Sequence, residues 1–259
     1  MSACVCLRAR SVTVHRRLHD VTLALAPGLT VVVGENGAGK STLLDVLAGI
    51  LVPDAGAVSL ATREGDGDDL RALSPRERAR RIASLGQESM DIEATALERI
   101  AHGLSPRRGS SALLDAPALA LITAAANSLG VAELLARDVA QLSSGQARRV
   151  EVARALVDDQ ATCVIIDEPH AAVDVKHQGV VSRALLERAR AGAIVVVSVH
   201  DLGVAAAIAD RVIGLREGRV VVDGPLADAI TPASIELLYG VAGALIVREG
   251  DGLAVIMPR

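Results

Sequence analysis

The pattern of apolar and polar positions changes character several times along the chain. Residues 5–14 and 21–26 alternate apolar with polar side chains, as half-buried strands do, and residues 29–33 form a short β-branched run. Residues 41–50 place their leucines on one face of a predicted helix. Strand and helix patterns then alternate from 162 to 222. This alternation predicts an α/β fold with a mainly parallel sheet.

Between these two regions the pattern indicates smaller elements and a helical insert. Short strands are predicted at 57–60 and 82–85, and residues 62–69 form a polar, acidic loop. Residues 88–141 are mostly Ala, Leu and Arg with helix signals, which predicts a helical insert that carries a loop at 105–111.

Size and charge narrow the class of protein. The chain has 259 residues, which suits one large domain or one domain with inserted lobes. No apolar run approaches the ~18 residues that a membrane-spanning helix needs. The formal net charge of −4 argues against a general nucleic-acid binder, and three cysteines without a disulfide framework fit a reducing compartment.

A local group of arginines stands out against this acidic balance. Arg76, Arg78, Arg80 and Arg81 follow Ser74-Pro75, a helix-start signal. The group is either the solvated face of that helix or a contact with a partner protein.

A glycine-rich loop follows the β-branched run and opens the first predicted helix. Its residues are Gly34, Glu35, Asn36, Gly37, Ala38, Gly39, Lys40, Ser41 and Thr42. The G-x4-G-K-[ST] pattern between strand and helix predicts phosphate binding by backbone N–H groups. Lys40 offers a charge to the β- and γ-phosphates, Ser41 a hydroxyl to Mg²⁺, and Thr42 backs the α-phosphate. Only one other lysine, Lys176, occurs in the chain.

An apolar strand at 164–168 ends in two adjacent carboxylates. Neighbouring side chains on a strand diverge, so Asp167 can address Mg²⁺ while Glu168 addresses an attacking water. Glu168 is therefore the candidate general base. The alternative is a helix-capping or surface carboxylate at the end of a strand.

The pentapeptide at 142–146, Leu-Ser-Ser-Gly-Gln, precedes this acidic strand. Alone it would be a polar turn before a helix. In this order with the glycine-rich loop, it makes the chain resemble ABC-type ATPases from about Val5 to the C-terminus. The resemblance implies a P-loop NTPase fold of ABC type, with an N-terminal antiparallel β subdomain and an inserted helical subdomain. It also implies that the turn contacts the nucleotide of a second copy through Ser143, Ser144, Gly145 and Gln146.

Two further residues gain a role only through this resemblance. Gln87 would contact Mg²⁺ and the attacking water, and His200 would contact the γ-phosphate. Without the resemblance Gln87 carries no assignment, and His200 could be an ordinary histidine before a helix that Asp201 caps. With Lys40 and Glu168, these two complete the expected catalytic set.

The resemblance divides the chain as one ABC ATPase domain over 1–259. The expected parts are an ATP-binding core with the β subdomain (1–87), a helical subdomain with the pentapeptide turn at 142–146 (88–150), a second core part (151–225) and a C-terminal extension (226–259).

The implied function is an ATP-binding and hydrolysing transporter subunit at the cytoplasmic face of a membrane, with ATP and Mg²⁺ as cofactors. Two copies would sandwich two ATP molecules head to tail and drive a separate permease, itself served by a substrate-binding protein. Residues 73–83, 173–178 and 223–241 resemble importers of iron–siderophore, haem and cobalamin. An exporter ATPase and a soluble non-transport ABC protein remain alternatives.

The sequence departs from the pattern of ABC-type ATPases at the position expected to contact the adenine base and in the pentapeptide at 142–146. Many relatives stack adenine on an aromatic residue, but here Val14 lies near that position. We therefore expect weak adenine selectivity, or a substitute contact from His15 or Arg16. Ser144 replaces the usual glycine, and a serine fits there if its φ is negative.

Overall fold

The computed structural model describes residues 5–62, 67–86, 93–109, 114–242, 245–249 and 252–256. The predicted site residue Gln87 lies outside them. The strands are β1 Val5–Val14, β2 Leu18–Leu25, β3 Gly28–Val33, β4 Ala55–Thr62, β5 Asp68–Asp69, β6 Ile82–Leu85, β7 Cys163–Ile166, β8 Ile194–Ser198, β9 Arg211–Arg216, β10 Arg219–Pro225, β11 Leu245–Glu249 and β12 Gly252–Ile256. The α-helices are α1 Lys40–Leu47, α2 Pro75–Arg81, α3 Ala96–Ala101, α4 Ser105–Arg108, α5 Ala116–Ser128, α6 Ser144–Leu156, α7 Val175–Arg190, α8 Leu202–Ile208, α9 Leu226–Ala229 and α10 Pro232–Tyr239.

An antiparallel sheet occupies the N-terminal part of the chain. Within the described residues its strand order is β2-β1-β4-β5. Leu7 of β1 is fully buried and pairs with Leu25 on one side and Leu60 on the other. This is the antiparallel β subdomain that the resemblance to ABC-type ATPases implies.

A second sheet provides the scaffold for the candidate site. In the described part of the chain its order is β10-β9-β3-β8-β7-β6, and every pairing except that of β9 with β10 is parallel. The carboxyl ends of β3, β7 and β8 therefore lie at one edge of the sheet. Gly34 follows β3, Asp167 follows β7 and His200 comes two residues after β8. Ligands of open α/β sheets bind at this kind of edge.

Two hydrophobic clusters lie on opposite faces of this sheet. Leu29, Val31 and Val33 of β3 belong to the cluster that includes α7, α8 and the helices α3, α5 and α6. Val32 faces the other cluster, which α1 and the antiparallel sheet cover. A strand that is buried on both faces needs a continuous apolar run, and this explains the sequence of β3.

Most predicted elements are confirmed with shifted ends. β1 and β6 have the predicted bounds, and a capping box of Ser74 with Glu77 starts α2 after the predicted signal. β2 begins at Leu18, three residues earlier than predicted, because its pairing with β1 continues to the turn. α1 ends at Leu47, three residues earlier than predicted, and a turn that includes Gly49 (φ 69°) follows.

The predicted loop at 105–111 is wrong at its beginning. Residues Ser105–Arg108 form the short helix α4. Pro106 lies in its first turn, where the fixed φ of proline suits a helix. Among the residues that the structure describes, none of the helices is both long and apolar enough to cross a bilayer.

Candidate functional site

The loop of residues 34–39, the glycine loop, joins β3 to α1 in a conformation that only glycines accommodate. Gly34, Gly37 and Gly39 have φ values of 143°, 83° and 104°. A Cβ on Gly34 would lie 2.2 Å from the Leu215 carbonyl oxygen, and one on Gly39 would lie 2.8 Å from that of Arg17. Backbone geometry therefore favours glycine at all three positions, and close packing also excludes a side chain at Gly34 and Gly39.

Lys40 begins α1 and turns its side chain back over the glycine loop. Its Nζ donates to the carbonyl oxygens of Gly34 (2.8 Å) and Glu35 (3.0 Å). Burial lowers the pKa of the Lys40 amine, while the carboxylates of Glu168 and Asp167 act in the opposite direction. The amine is thus held over the glycine loop by two carbonyl oxygens, and it feels the charge of both predicted carboxylates.

Asp167 and Glu168 leave the end of β7 in different environments. Asp167 is 4% exposed and accepts a hydrogen bond from the Ser198 hydroxyl. The Glu168 backbone N–H donates to the same Ser198 oxygen at 2.9 Å. Ser198 thus fixes both residues, although no motif in the sequence marks it. Its one sequence signal is its position at the end of β8, the strand parallel to β7.

Glu168 also has a backbone conformation that is unusual for a side chain of its size. Its φ is 51°, in the left-handed region, which costs about 1–3 kcal/mol for a residue other than glycine. Its carboxylate makes a short contact, Oε1 to Nε2 of His200. Strain of this kind persists where the surroundings fix the residue, as Ser198 and His200 do here.

A cavity of about 390 Å³ collects most of the predicted catalytic side chains. Its lining residues are Arg17, Asn36, Gly37, Gly39, Lys40, Ser41, Thr42, Glu168 and His200. The volume lies in the range of small-molecule sites, about 300–1,000 Å³. The β1–β2 turn contributes Arg17 to the lining, whereas His15 and Arg16, the expected substitute contacts for the adenine base, do not line this cavity.

The pentapeptide at 142–146, here the signature turn, does not line this cavity. Ser143 and Ser144 are exposed and begin α6. Ser143 Oγ accepts from the Gln146 N–H (3.3 Å), and Gln146 Oε1 accepts from the Ser143 N–H (3.0 Å). Ser144 is not among the residues with positive φ, so the condition for a serine at this position is met.

Gly145 packs closely against another segment of the chain. A Cβ at this position would lie 2.6 Å from the carbonyl oxygen of Ala172. The turn thus packs on the segment that follows Glu168, and its glycine is required for packing in addition to any contact with a ligand.

The residues present fit a magnesium ion bound together with phosphate. Within the described ranges no group of three or more His, Cys, Asp or Glu side chains could hold a metal ion alone. Mg²⁺ commonly takes one or two protein oxygens and completes its shell with water and substrate phosphates. The Ser41 hydroxyl at the cavity and the Asp167 carboxylate supply oxygens of this type.

Comparisons with known proteins match this arrangement. The sequence model of the ABC transporter family matches residues 18–171, more than half of the chain. The chain belongs to the ABC transporter family. Within it, this chain is an ABC ATPase that binds ATP, and the predicted ABC-type P-loop fold is confirmed.

Close relatives extend the match over almost the whole chain. A hemin import ATP-binding protein of Nocardia farcinica is 41% identical over 98% of this chain and 89% of its own length. The protein of the same name from Pseudomonas putida is 36% identical over 93% of this chain and 94% of its own length.

Solved structures show the same ABC cassette fold. A metal-chelate type ABC transporter in an inward-facing conformation has a TM-score of 0.80 at 21% identity, covering 100% of this chain and 98% of that chain. An ATP-binding cassette in a dimeric post-hydrolysis state with ADP and phosphate has a TM-score of 0.72 at 26% identity, covering 85% and 98%. ABC cassettes thus bind nucleotide and dimerise.

Proposed function

We propose that this chain hydrolyses ATP as a head-to-tail homodimer in which each glycine loop faces the signature turn of the other copy. One observation carries the proposal. Lys40, Glu168 and His200 line one cavity, whereas Ser143 and Ser144 of the same chain are exposed outside it. A second copy can bring its turn to the cavity, and two equivalent contacts close a symmetric dimer.

The cavity residues divide the chemistry of phosphoryl transfer among them. The glycine loop from Gly34 to Gly39 and the start of α1 hold the phosphates through N–H groups, and Lys40 supplies a positive charge. Ser41 and Asp167 would hold Mg²⁺, which neutralises charge on the phosphates when it is bound. From the resemblance alone, Gln87 joins this set as a further ligand.

Glu168 orients the attacking water and accepts its proton. The contact with His200 fixes the carboxylate in the cavity, beside the end of the glycine loop. His200 is 46% exposed in its side chain and Glu168 is 20% exposed, so water reaches both. Positioning of this kind is the main protein contribution in phosphoryl transfer.

The transported solute follows from the relatives rather than from the site. Several relatives of 32–41% identity bear the name hemin import ATP-binding protein. We therefore propose haem import, with this chain at the cytoplasmic face of the membrane, bound to separate permease subunits that a substrate-binding protein serves. The division into core, helical subdomain and C-terminal extension at 1–87, 88–150, 151–225 and 226–259 belongs to this proposal.

Substitution of Glu168 tests the hydrolytic mechanism. Glu168→Gln should lower ATP turnover by about 100-fold or more, because the amide cannot accept the proton from water. ATP binding should persist, so the variant should become a dimer with ATP in size-exclusion chromatography with light scattering. Glu187→Gln, at an exposed position of α7, is the matched control. Normal turnover in Glu168→Gln would contradict the mechanism.

Reconstitution tests the cargo. The chain is purified with its permease, placed in liposomes and supplied with binding protein loaded with haem, an iron–siderophore or cobalamin. Haem should accumulate in an ATP-dependent manner and raise ATP turnover. Stimulation by the other two ligands but not by haem would contradict haem import while leaving the ATPase mechanism intact.

A further inference from the structure

Arg148 lies in the first turns of α6, the helix that the signature turn begins, and its guanidinium contacts three backbone carbonyl groups. Nε donates to the Glu168 oxygen at 3.2 Å, Nη1 donates to the Gly86 oxygen at 3.2 Å, and Nη2 donates to the Asp167 oxygen. A planar guanidinium with five fixed donors can hold several carbonyl groups at once, which an ammonium group cannot do with the same geometry.

These three carbonyls belong to the segments that carry the hydrolytic residues. Asp167 and Glu168 end β7, and Gly86 directly precedes Gln87 in sequence. Glu168 has the left-handed backbone, and its N–H is fixed by Ser198 from β8. Arg148 holds the carbonyl side of the same residue, so the direction of the Glu168 carboxylate depends on α6 as well as on β8.

The next arginine on the same helix has different partners. Arg149 donates from Nη1 to the carbonyl oxygens of Leu129 (2.8 Å) and Gly130 (2.5 Å), at the end of α5. Both arginines bind main-chain oxygens, but only Arg148 connects α6 with the cavity. Arg149 is therefore a matched reference for the loss of an arginine–carbonyl contact.

We infer that Arg148 is a positioning residue that links the signature turn to Glu168 of the same chain. This inference rests on the proposed head-to-tail dimer. There, the turn contacts the nucleotide in the cavity of the partner copy, while Glu168 acts in the cavity of its own chain. Any displacement of α6 on contact with that nucleotide moves Arg148 and the carbonyls that it holds. Arg148 thereby couples the two ATP sites.

Kinetics of the full-length protein test this role. Arg148→Ala should lower kcat by about tenfold or more, because small misplacements of a catalytic group have large effects on rate. KM should stay within about twofold, since the cavity residues that bind ATP are unchanged. The Hill coefficient for ATP, expected above 1 in the wild type, should fall to about 1. Arg149→Ala should lower the melting temperature yet keep the wild-type Hill coefficient.

A second substitution separates positioning from folding. Arg148→Lys keeps the charge but loses the planar guanidinium with its several N–H donors. This variant should therefore recover part of kcat and only part of the cooperativity. Arg149→Lys is its control. Folded Arg148→Ala with the kcat and Hill coefficient of Arg149→Ala would overturn the inference. If Arg148→Ala does not fold, a wild-type Hill coefficient in Arg148→Lys overturns it. Absence of ATP hydrolysis in the wild type would instead contradict the proposed function.

Discussion

The glycine loop and the signature turn both lead into a helix, but they satisfy their polar groups differently. The glycine loop has no side-chain cap on α1, and its shape depends on three glycines with positive φ. The signature turn carries a capping box, in which Ser143 and Gln146 each accept from the other's backbone N–H. The glycine loop lines a cavity with Glu168 and His200, whereas the serines of the signature turn are exposed.

This difference assigns separate tasks to the two turns. An uncapped helix N-terminus leaves N–H groups for a phosphate, so the glycine loop is a ligand site within one chain. A capped N-terminus is stable by itself and retains the Ser143 hydroxyl hydrogen and the positive end of the helix for an outside partner.

Removal of the Lys40 amine should abolish the function of the glycine loop. Lys40→Ala should weaken ATP binding by about 100-fold, because a buried charge that contacts phosphate is worth several kcal/mol. Isothermal titration calorimetry with ATP and Mg²⁺ measures the effect. Lys176→Ala, at the other lysine and exposed on α7, should bind ATP as the wild type does. Equal affinities in the two variants would contradict the separation.

A charge on the signature turn should leave binding to one chain intact and block the dimer. Ser143→Asp keeps a good N-cap but places a carboxylate opposite the partner's triphosphate. Affinity of the monomer for ATP should stay within about twofold, while turnover should fall by about tenfold or more. Thr231→Asp, in the capping box of α10, is the control and should retain turnover.

A mixture of the two variants gives the sharper test. A heterodimer of Lys40→Ala and Ser143→Asp contains one site with both defects and one site with none. An equal mixture should therefore recover up to about a quarter of the wild-type turnover, because half of the dimers are mixed and each has one intact site. No recovery in a mixture that forms dimers would contradict completion of each site by the other chain.

The sequence predicted these turns well because each depends on local backbone chemistry. Glycines at 34, 37 and 39 and a serine three residues before Gln146 have direct conformational consequences, so their pattern indicates their structure. The apolar runs of β3, β7 and β8 likewise predicted the central sheet.

Contacts between distant segments could not be predicted in the same way. Ser198, Arg17 and Arg148 come from separate elements and meet the site only through the strand order and the packing of α6. Their residue types have no spacing signal, and a guanidinium that binds backbone carbonyls leaves no trace in the sequence of its partners. The α4 helix was missed because Ser105 and Pro106, and Gly109 directly after the helix, favour turns as well.

The packing of the signature turn on the segment after Glu168 should be disrupted by one methyl group added at Gly145. Gly145→Ala places a Cβ 2.6 Å from the Ala172 carbonyl oxygen and should lower the free energy of unfolding by about 3 kcal/mol. Gly179→Ala in α7 has no heavy atom within 4 Å of the added Cβ, so it should raise stability by about 0.5–1 kcal/mol. Urea unfolding compares the two. Equal stabilities would show that the turn does not rest on the segment after Glu168.

Acid should weaken this same segment through His170. Burial, and secondarily the charge of Arg148, lower the pKa of His170 from 6.5 to about 4, although Asp201 acts in the opposite direction. The folded protein therefore binds this proton less readily than the unfolded chain. The contribution of the uncharged His170 ring to the free energy of unfolding is therefore present above pH 6.5 and is lost as the pH falls towards 4.

Protonation of His170 should lower the free energy of unfolding by on the order of 2 kcal/mol, after allowance for partial exposure of the ring. His170→Gln can retain the hydrogen bond to the Ser182 hydroxyl, which the His170 Nε2 makes at 2.9 Å, but it does not titrate. The difference in unfolding free energy between wild type and variant should thus shift between pH 7 and pH 4.5, in favour of the variant at low pH. His102→Gln, at an exposed position, is the control. A difference that does not change with pH would show that the pKa of His170 is the same in the folded and unfolded protein, and the acid sensitivity would then belong to another part of the chain.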